Sequence, residues 1–488
     1  MRSENLVVSE HFFAMLTRRL RREFLFHIII LLIRKGDAGG MRMKMAGFLA
    51  MLLALVLCLP SAGAETIQAC HRVTNTAKTT TQGNKSQIRI WHADTAHPAV
   101  TEEINGLAEA WAEEMGPSLP KAGNNGKKNS RLDVEIRYSR TGLHWMSFMV
   151  QARTTYHQKV TGQRFTTRTY HMETGEQVML SDVFDDSDEI WNLLGERVRQ
   201  TLTDYWPDVE PDADKLAALC EREALEQADF TLHGMSLVLH YPAETLYPEH
   251  YTLMDVTFFY PEIRDWMTET AMSETNNTAY YKTCALTFDD GPSSKNTPKV
   301  LDSLMETGAR ATFFVIGNRI KDYRWLVQRE HDNGNAIGAH NWHHGNVTKS
   351  SGSALRAMPQ KVNTAMIKSI GIPVRYDRVP GGRYPRMIEV KVGWAYIQWS
   401  LDTYDWRGIS TAAVMRKVKS KLRDGDIILC HDIKNNTAES ARQIARYLEE
   451  EGYLLLTIDE LFAKDGVKLE PNKVYYHCDQ GDTSIRKD

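Results

Sequence analysis

The sequence predicts an α/β protein in which a distorted (β/α) barrel follows an α+β domain. Three observations favour this fold class. Short apolar runs alternate with amphipathic segments over residues 283–465, and strand-like alternation mixes with helical stretches before them. Candidate reactive side chains fall at or just after the ends of the apolar runs, where barrels carry their chemistry. The chain of 488 residues is long enough for two or three domains.

The predicted barrel strands are short apolar runs separated by segments with helical spacing. About seven strand–helix units within roughly 180 residues are typical of a parallel sheet that closes towards a barrel. The runs lie at 284–288, 311–316, 336–339, 376–379, 394–399, 427–430 and 454–457, and the helical segments at 297–306, 355–370, 411–422 and 439–449.

Composition and charge exclude some partners. Hydrophobic residues make up 42% of the chain and charged residues 25%, which is ordinary for a folded protein. The net charge of −3 gives no reason to expect bulk electrostatic binding to nucleic acid or to an anionic membrane.

The N-terminal segment has the pattern of an export signal. Residues 41–44 are positively charged, 46–59 are apolar, and Ala62 and Ala64 form a cleavage site after residue 64. The expected location is therefore secreted or at the cell envelope. An uncleaved membrane anchor is the alternative, and contact with a membrane is expected only in that case. We interpret residues 1–40 as an extension from a misassigned start, with a cytoplasmic tail on an anchored protein as the alternative.

The cysteines do not predict a disulfide framework. After cleavage five remain, and they are few, widely spaced and odd in number. We expect Cys284 and Cys430, which lie in apolar runs, to be buried as small hydrophobic side chains.

Residues 65–275 are expected to form an α+β accessory domain without catalytic groups of its own. The spacing predicts a helix at 187–206 and a loop or loose start at 71–90, and strands at 131–138, 145–152, 163–171, 237–240 and 256–260. Residues 169–176 (TYHMETGE) and 180–184 (LSDVF) resemble part of a small extracellular domain family. That family occurs in anti-sigma factors that sense lysozyme and in front of some peptidoglycan deacetylases.

Two clusters of polar side chains carry the predicted chemistry. Asp289 and Asp290 end an apolar run before a Gly-Pro turn, and His340, His343 and His344 follow about fifty residues later. One Asp with two His is a divalent-metal ligand set that leaves coordination positions open. The second carboxylate can then act as a base, so the pattern indicates a hydrolase that uses a metal-activated water.

Five motifs in order make residues 283–465 similar to a known family. They are 287–292 (TFDDGP), 340–344 (HNWHH), 378–382 (RVPGG), 402–406 (DTYDW) and 428–432 (ILCHD). This region resembles the catalytic domain of polysaccharide deacetylases related to the nodulation-factor deacetylase, carbohydrate esterase family four. Asn341 stands where that family usually has Ser or Thr, and Gly381 stands where it usually has an aromatic residue.

The resemblance implies roles for the residues of the metal centre. Asp289 would be the base, and Asp290, His340 and His344 would hold one divalent ion. Zn²⁺ is the first expectation, with Co²⁺, Mn²⁺ or Ni²⁺ as alternatives. His343 is left as a surface residue.

The resemblance also implies roles around this centre. Arg378 would orient Asp289, and the backbone N–H at Gly381 would donate to the oxyanion. His431, tuned by Asp405, would be the acid, and Trp406 and Leu429 would form the pocket for the acetyl methyl group.

The resemblance therefore implies an N-deacetylase that acts on peptidoglycan or another N-acetylated glycan. Deacetylation of chitin oligomers or an exopolysaccharide, and O-acetyl esterase activity, are the alternatives within enzymes. A wall-binding or sensing protein with an inactive barrel is the alternative from another class. An inactive barrel would be expected to lack a ligand or the base, and this sequence keeps both.

Overall fold

The computed structural model of the protein describes residues 70–121, 129–385 and 393–484. They all belong to one compact unit, Ile67–Asp488. The predicted extension 1–40 and signal peptide 41–64 lie outside the described residues. The helices of the described residues include none with the length and apolar character needed to span a membrane.

We call the described residues within 70–281 the accessory half and those from 282 onwards the catalytic half. A six-stranded sheet begins the accessory half. Its strands follow one another in chain order and are antiparallel, except for one parallel pair, the second and third strands. Helix α1, Pro98–Met115, connects that parallel pair and packs its apolar face on the sheet. The strands are β1 Val73–Thr81, β2 Gln87–Thr95, β3 Ser130–Thr141, β4 Trp145–Tyr156, β5 Lys159–His171 and β6 Gln177–Val178.

The prediction of a loop at 71–90 is wrong, because β1 and β2 pair along their whole length as a hairpin. The tip of the hairpin is closed by a backbone bond from Gln82 N to Ser86 O of 2.9 Å. Most side chains of β1 are exposed, so the strand shows no apolar alternation that the sequence could reveal. Its threonines are β-branched and favour extended backbone, and the hairpin satisfies the backbone hydrogen bonds.

A second, three-stranded antiparallel sheet completes the accessory half and encloses its own core with the neighbouring helices. Its strands are β7 Phe230–Leu232, β8 Ser236–Pro242 and β9 Leu253–Phe259. The helices of this region are α2 Leu180–Val183, α3 Asp188–Thr203, α4 Ala213–Leu219, α5 Arg222–Glu226, α6 Tyr260–Ile263, α7 Glu269–Glu274 and α8 Asn277–Tyr280. The strands predicted for the accessory half correspond to β3, β4 and β5 of the first sheet and to β8 and β9 of the second, and the predicted long helix corresponds to α3.

The catalytic half is a parallel sheet of nine described strands, which confirms the (β/α) fold class. The strands are β10 Lys282–Asp289, β11 Thr312–Val315, β12 Ala336–Ala339, β13 Tyr376–Asp377, β14 Ala395–Ile397, β15 Leu401–Asp402, β16 Asp426–His431, β17 Tyr453–Leu455 and β18 Val474–Tyr475. The order across the sheet is β15-β16-β10-β11-β12-β13-β14-β18, and β17 pairs with the first residues of β10. The seven predicted runs correspond to strands, whereas the two-residue strands β15 and β18 were not predicted.

Amphipathic helices cover the sheet and bury its apolar side chains. They are α9 Thr297–Thr307, α10 Arg324–Asp332, α11 Gly352–Ile370, α12 Thr411–Lys421, α13 Thr437–Glu450 and α14 Ile458–Ala463. Ser351 caps the start of α11 through a bond from Ala354 N, and Gly371 ends it with a φ of 80°. Cys284 and Cys430 are buried as expected, and neither forms a disulfide.

Buried polar contacts join the two halves. Arg329 of α10 donates to Glu135 of β3 at 2.8 Å and to Asp302 of α9 at 2.7 Å, and Asp302 also binds Arg89. Glu460 accepts from Arg310 at 2.6 Å and from the Ser236 hydroxyl at 2.8 Å. Separating the halves would leave Glu135 without Arg329, Asp302 without Arg89 and Glu460 without the Ser236 hydroxyl. The predicted boundary between an accessory domain, 65–275, and a catalytic domain, 276–488, stays a prediction from the sequence and is not a gap in packing.

Candidate active site

The predicted site residues gather at the carboxyl ends of neighbouring strands. Asp289 and His431 are the last residues of β10 and β16 and are directly paired in the register of these strands. His340 follows β12, Arg378 follows β13 and Asp405 lies three residues after β15. Because the carboxyl ends of parallel strands lie on one edge of the sheet, five distant segments meet at one place.

Three side chains form the one cluster in the described residues that could hold a metal ion. Nε2 of His344 lies 3.0 Å from Oδ1 of Asp290, and Nε2 of His340 lies 3.4 Å from the same oxygen. One ligand atom from each residue lies within 4.8 Å of those of the other two. His343 is exposed and its Nδ1 accepts from the Asn318 side-chain amide at 3.1 Å, so it does not join the cluster.

The hydrogen bonds around this cluster fit a cation. Nδ1 of His340 lies 2.7 Å from the carbonyl oxygen of Arg378, and a carbonyl can only accept, so Nδ1 carries the proton. Nε2 of a neutral His340 then presents a lone pair towards Asp290. Oδ1 of Asp290 is buried and receives no well-formed hydrogen bond from the described residues. Burial opposes ionisation of Asp290. When the two imidazoles are protonated, their hydrogen bonds and charge outweigh this effect and hold the pKa of Asp290 well below its usual range.

The segment that carries the two candidate histidine ligands is not helical, although His340 and His344 are four residues apart and would lie on the same face of a helix. The segment is a turn instead, with φ of 62° at Asn341 and 55° at His344. The amide oxygen of Asn341 accepts from Trp342 N at 2.5 Å, and an Asn side chain makes a left-handed backbone less costly. The left-handed residues turn the chain so that both imidazoles approach Asp290.

The candidate base is held by a fully buried arginine. One terminal nitrogen of Arg378 donates to Asp289 Oδ1 and to the Thr287 hydroxyl, both at 2.8 Å. The other guanidinium nitrogens donate to the carbonyls of Ile397 at 3.0 Å and Gln398 at 3.1 Å. Four contacts fix the guanidinium, which in turn holds the carboxylate of Asp289 in place.

The candidate acid is held by a buried carboxylate. Asp405 accepts from His431 Nδ1 at 2.7 Å and from the His431 backbone N–H at 2.8 Å, which leaves Nε2 free to face the cluster. Burial alone would lower the pKa of His431, but the hydrogen bond and charge of Asp405 outweigh it and raise the pKa. His431 therefore keeps its proton to higher pH than an ordinary histidine.

The three predicted substrate-contacting residues have different surroundings. Gly381 is exposed, has a φ of 68°, and a Cβ placed there would meet nothing within 4 Å. Trp406 is 45% exposed, and its indole N–H donates to Asp402 at 3.4 Å. Leu429 is buried in β16, opposite Thr287 in the register. Their roles in binding a sugar stay predictions.

Two buried carboxyl groups beside the site were not singled out from the sequence. Asp377 precedes Arg378 and accepts from the backbone N–H of Asn341 at 3.3 Å. Asp432 follows His431 and accepts from the Thr297 hydroxyl. Burial raises the pKa of each to about 7. The sequence contains one indication of them, which is that each lies next to a motif residue. A carboxyl group that adjoins an apolar strand and a motif residue is seldom a simple surface group.

Comparison with known proteins places the chain in a family. The sequence model described as polysaccharide deacetylase matches residues 276–393. A peptidoglycan-N-acetylglucosamine deacetylase of Bacillus cereus is 32% identical over 188 residues, covering 37% of this chain and 88% of that protein. The chain belongs to the polysaccharide deacetylase family.

Longer relatives match over the same region only. The peptidoglycan-N-acetylglucosamine deacetylase PgdA of Listeria monocytogenes is 39% identical over 195 residues, which are 40% of this chain and 41% of the relative. The matched region thus spans about two fifths of that relative's length. Among solved structures, the peptidoglycan deacetylase PdaC of Bacillus subtilis is similar at 32% identity, with 38% of this chain and 91% of that chain covered and a TM-score of 0.36.

Proposed function

We propose that this protein is a metal-dependent N-deacetylase that removes acetyl groups from N-acetylated sugars of peptidoglycan and releases acetate. The observation that carries the proposal is the convergence of Asp290, His340 and His344 beside an arginine-held Asp289 and an aspartate-held His431. Peptidoglycan is the first substrate because the relatives from Bacillus cereus and Listeria monocytogenes are named for it. Whether the acetyl group is on N-acetylglucosamine or N-acetylmuramic acid is left to the experiment.

The residues divide the work of amide hydrolysis. A divalent ion held by Asp290, His340 and His344, with Zn²⁺ as the first choice, would lower the pKa of a water and polarise the acetyl carbonyl. Asp289 accepts the proton of the attacking water, whose oxygen forms a bond to the acetyl carbon. Arg378 keeps Asp289 oriented for that step.

The second half of the reaction needs charge stabilisation and a proton. The backbone N–H of Gly381 would donate to the oxyanion, and this donor does not depend on a side chain. His431 donates its proton to the amine nitrogen as the C–N bond breaks, so that acetate and a free amine leave. The site makes its side-chain hydrogen bonds and ion pairs within the catalytic half. In the described residues, all of these contacts join partners within 287–437, and the site residues concerned are Asp289, Asp290, His340, His344, Arg378, Asp405 and His431.

The accessory half therefore has a proposed role outside the chemical step. We infer that residues 65–275 present the enzyme to the cell wall or to a wall-associated partner. Residues 41–64 would direct export, with the mature chain starting near residue 65, so the protein would work at the cell envelope. Amino-terminal sequencing of exported protein tests the cleavage site.

The deciding experiment is mass spectrometry of muropeptides after incubation with the purified full chain and Zn²⁺. The expected result is replacement of one acetyl group by hydrogen, with equimolar acetate, and fragmentation that assigns the sugar. Asp289→Asn protein is the matched control and should leave the muropeptides unchanged. Acetate release from chitin oligomers or O-acetylated glycans, but not from muropeptides, would overturn the substrate, and no release from any of them would overturn the activity.

A further inference from the structure

The turn that carries Asp290 packs against the buried carboxylate of Asp432, which directly follows β16, a neighbour of β10 in the sheet. Asp432 is fully buried and follows His431 directly. A Cβ added to Gly291 would lie 2.3 Å from Oδ2 and 2.6 Å from Oδ1 of Asp432. The carboxylate therefore packs directly against the backbone of Gly291, at a distance that any side chain there would prevent.

Asp432 and its neighbour also hold the far end of the same turn. The hydroxyl of Thr297, the first residue of α9, donates to Oδ2 of Asp432. The oxygen of this hydroxyl accepts from Ser293 N at 2.7 Å, so the bonds run from residue 293 through Thr297 to Asp432. The side-chain amide of Asn296 donates to the carbonyl of Ile433 at 2.7 Å. Segment 432–433 thus contacts residues 291, 296 and 297.

The opposite side of the turn is held by the segment that follows β11. The N–H of Ile316 donates to the carbonyl of Gly291 at 2.9 Å, and Arg319 donates to the carbonyl of Asp290 at 2.7 Å. The backbone of Asp290 and Gly291 is therefore fixed on two sides. Asp290 itself has a φ of 76°, which a non-glycine residue adopts only when its surroundings impose it.

We propose that Asp432 is a positioning residue for the metal centre, acting through Thr297 and Gly291 on the conformation of Asp290. Asp432 holds the turn so that Oδ1 of Asp290 faces His340 and His344. It lies outside the candidate ligand cluster and is buried away from solvent. The catalytic consequence rests on the proposed deacetylase function, whereas the effect on metal affinity does not.

The test measures Zn²⁺ affinity of the metal-free full chain by competition with a chromophoric chelator. Asp432→Ala and Thr297→Val should each weaken Zn²⁺ binding by about 10-fold or more, within the range usual for groups that orient metal ligands. Asp432→Asn keeps the shape of the side chain and an oxygen that can accept from Thr297, so this variant should retain most of the wild-type Zn²⁺ affinity. Thr283→Val is the matched control, because it removes a buried hydroxyl bond at the other end of β10.

The double variant tests whether the two residues act together. Asp432→Ala removes the acceptor of Thr297, so adding Thr297→Val should cost little further affinity, whereas independent residues would give the product of the two effects. A residue that only stabilises the fold would lower the melting temperature and leave Zn²⁺ affinity unchanged, and that result would overturn the proposal. If Asp432→Ala does not fold, Thr297→Val decides alone, and wild-type affinity in that folded variant sinks the idea. Failure of the wild type to release acetate would instead reject the deacetylase function and leave the Zn²⁺ measurements valid.

Discussion

The carbonyl oxygen of Arg378 lies 2.7 Å from Nδ1 of His340, while the guanidinium of the same residue lies 2.8 Å from Asp289. One residue therefore sets the tautomer of a candidate metal ligand and the orientation of the candidate base. His340 follows β12 and Asp289 ends β10, so Arg378 links the position of a candidate metal ligand to that of the candidate base. In the proposed mechanism both groups act on one water, and a single residue holds both of them.

Metal binding should depend on three side chains and spare a neighbour. Asp290→Ala, His340→Ala and His344→Ala should each purify with far less than one divalent ion per chain, since each loses a ligand. His343→Ala is the control and should keep the ion, because His343 faces Asn318. Metal analysis of the purified proteins checks this. Chelation should abolish wild-type activity and Zn²⁺ or Co²⁺ should restore it, and full activity after complete metal removal would contradict the ligand assignment.

The two neighbouring aspartates should separate by role. Asp289→Asn should keep the ion and lower kcat by about 10²–10⁴-fold, because an amide cannot take the proton of water. Asp290→Asn should lose the ion. Metal content and kcat measured on the same preparations decide the matter. Equal metal loss in both variants would refute the division into base and ligand.

The pH dependence should report the pair His431 and Asp405. An acid must hold its proton, so activity falls as pH rises through the pKa of His431, which Asp405 raises. Asp405→Asn removes the negative charge, lowers that pKa, and should move the alkaline limb of the kcat/KM profile to lower pH. Thr437→Val is the control, because it removes a hydroxyl that donates to Asp405 at 3.2 Å but keeps the charge. An unmoved limb in Asp405→Asn would show that His431 is not the titrating acid.

Removal of His431 itself should affect chemistry and not the metal. His431→Ala should lower kcat by about 10²-fold, the usual contribution of a positioned general acid. The ion should stay bound, because the imidazole of His431 is not among the three candidate ligands. Substrates whose leaving group needs no proton, such as activated aryl esters, should lose much less. A uniform loss on amides and activated esters would argue against the acid role.

The packing of the catalytic half beside the joint should depend on the pair of Arg310 and Glu460, because Glu460 also accepts from Ser236 of the accessory half. Glu460→Gln should lower the free energy of unfolding by about 3 kcal/mol, the low end for a broken buried ion pair, because Arg310 is partly buried and loses its counter-charge. Glu449→Gln, which breaks the more exposed bridge to Arg140, should cost no more than about 1 kcal/mol. Chemical denaturation of both variants measures the difference.

The same pair fixes the sign of a pH effect. Burial opposes ionisation of Glu460, but Arg310 outweighs it and lowers the pKa. A lowered pKa contributes stability that is present above the unfolded value of about 4.3 and is lost as pH falls through the folded value. The stability gap between wild type and Glu460→Gln should therefore narrow below about pH 4. A gap that stays constant down to the acid transition would contradict this account.

The repeating strand–helix pattern, and the strands that end in reactive groups, could be predicted from the amino-acid sequence. The seven apolar runs of the catalytic half were identified because buried parallel strands leave a strong apolar signal. The pairs of neighbouring motif residues were readable because strand ends and turns depend on local spacing. The hairpin at Val73–Thr95 was not predicted, because its first strand is mostly exposed and polar and so lacks an apolar pattern.

The contacts between those groups could not be predicted without the folded structure. Asp289 and Arg378 are 89 positions apart, and His340 and the Arg378 carbonyl are 38 apart, so no local pattern encodes their contacts. The roles of Asp377 and Asp432 likewise depend on the groups packed against them. A carboxyl group on the surface has an ordinary pKa, whereas burial raises the pKa of these two. Burial and the choice of partner are properties of the packed sheet, and they convert a list of motif residues into a site.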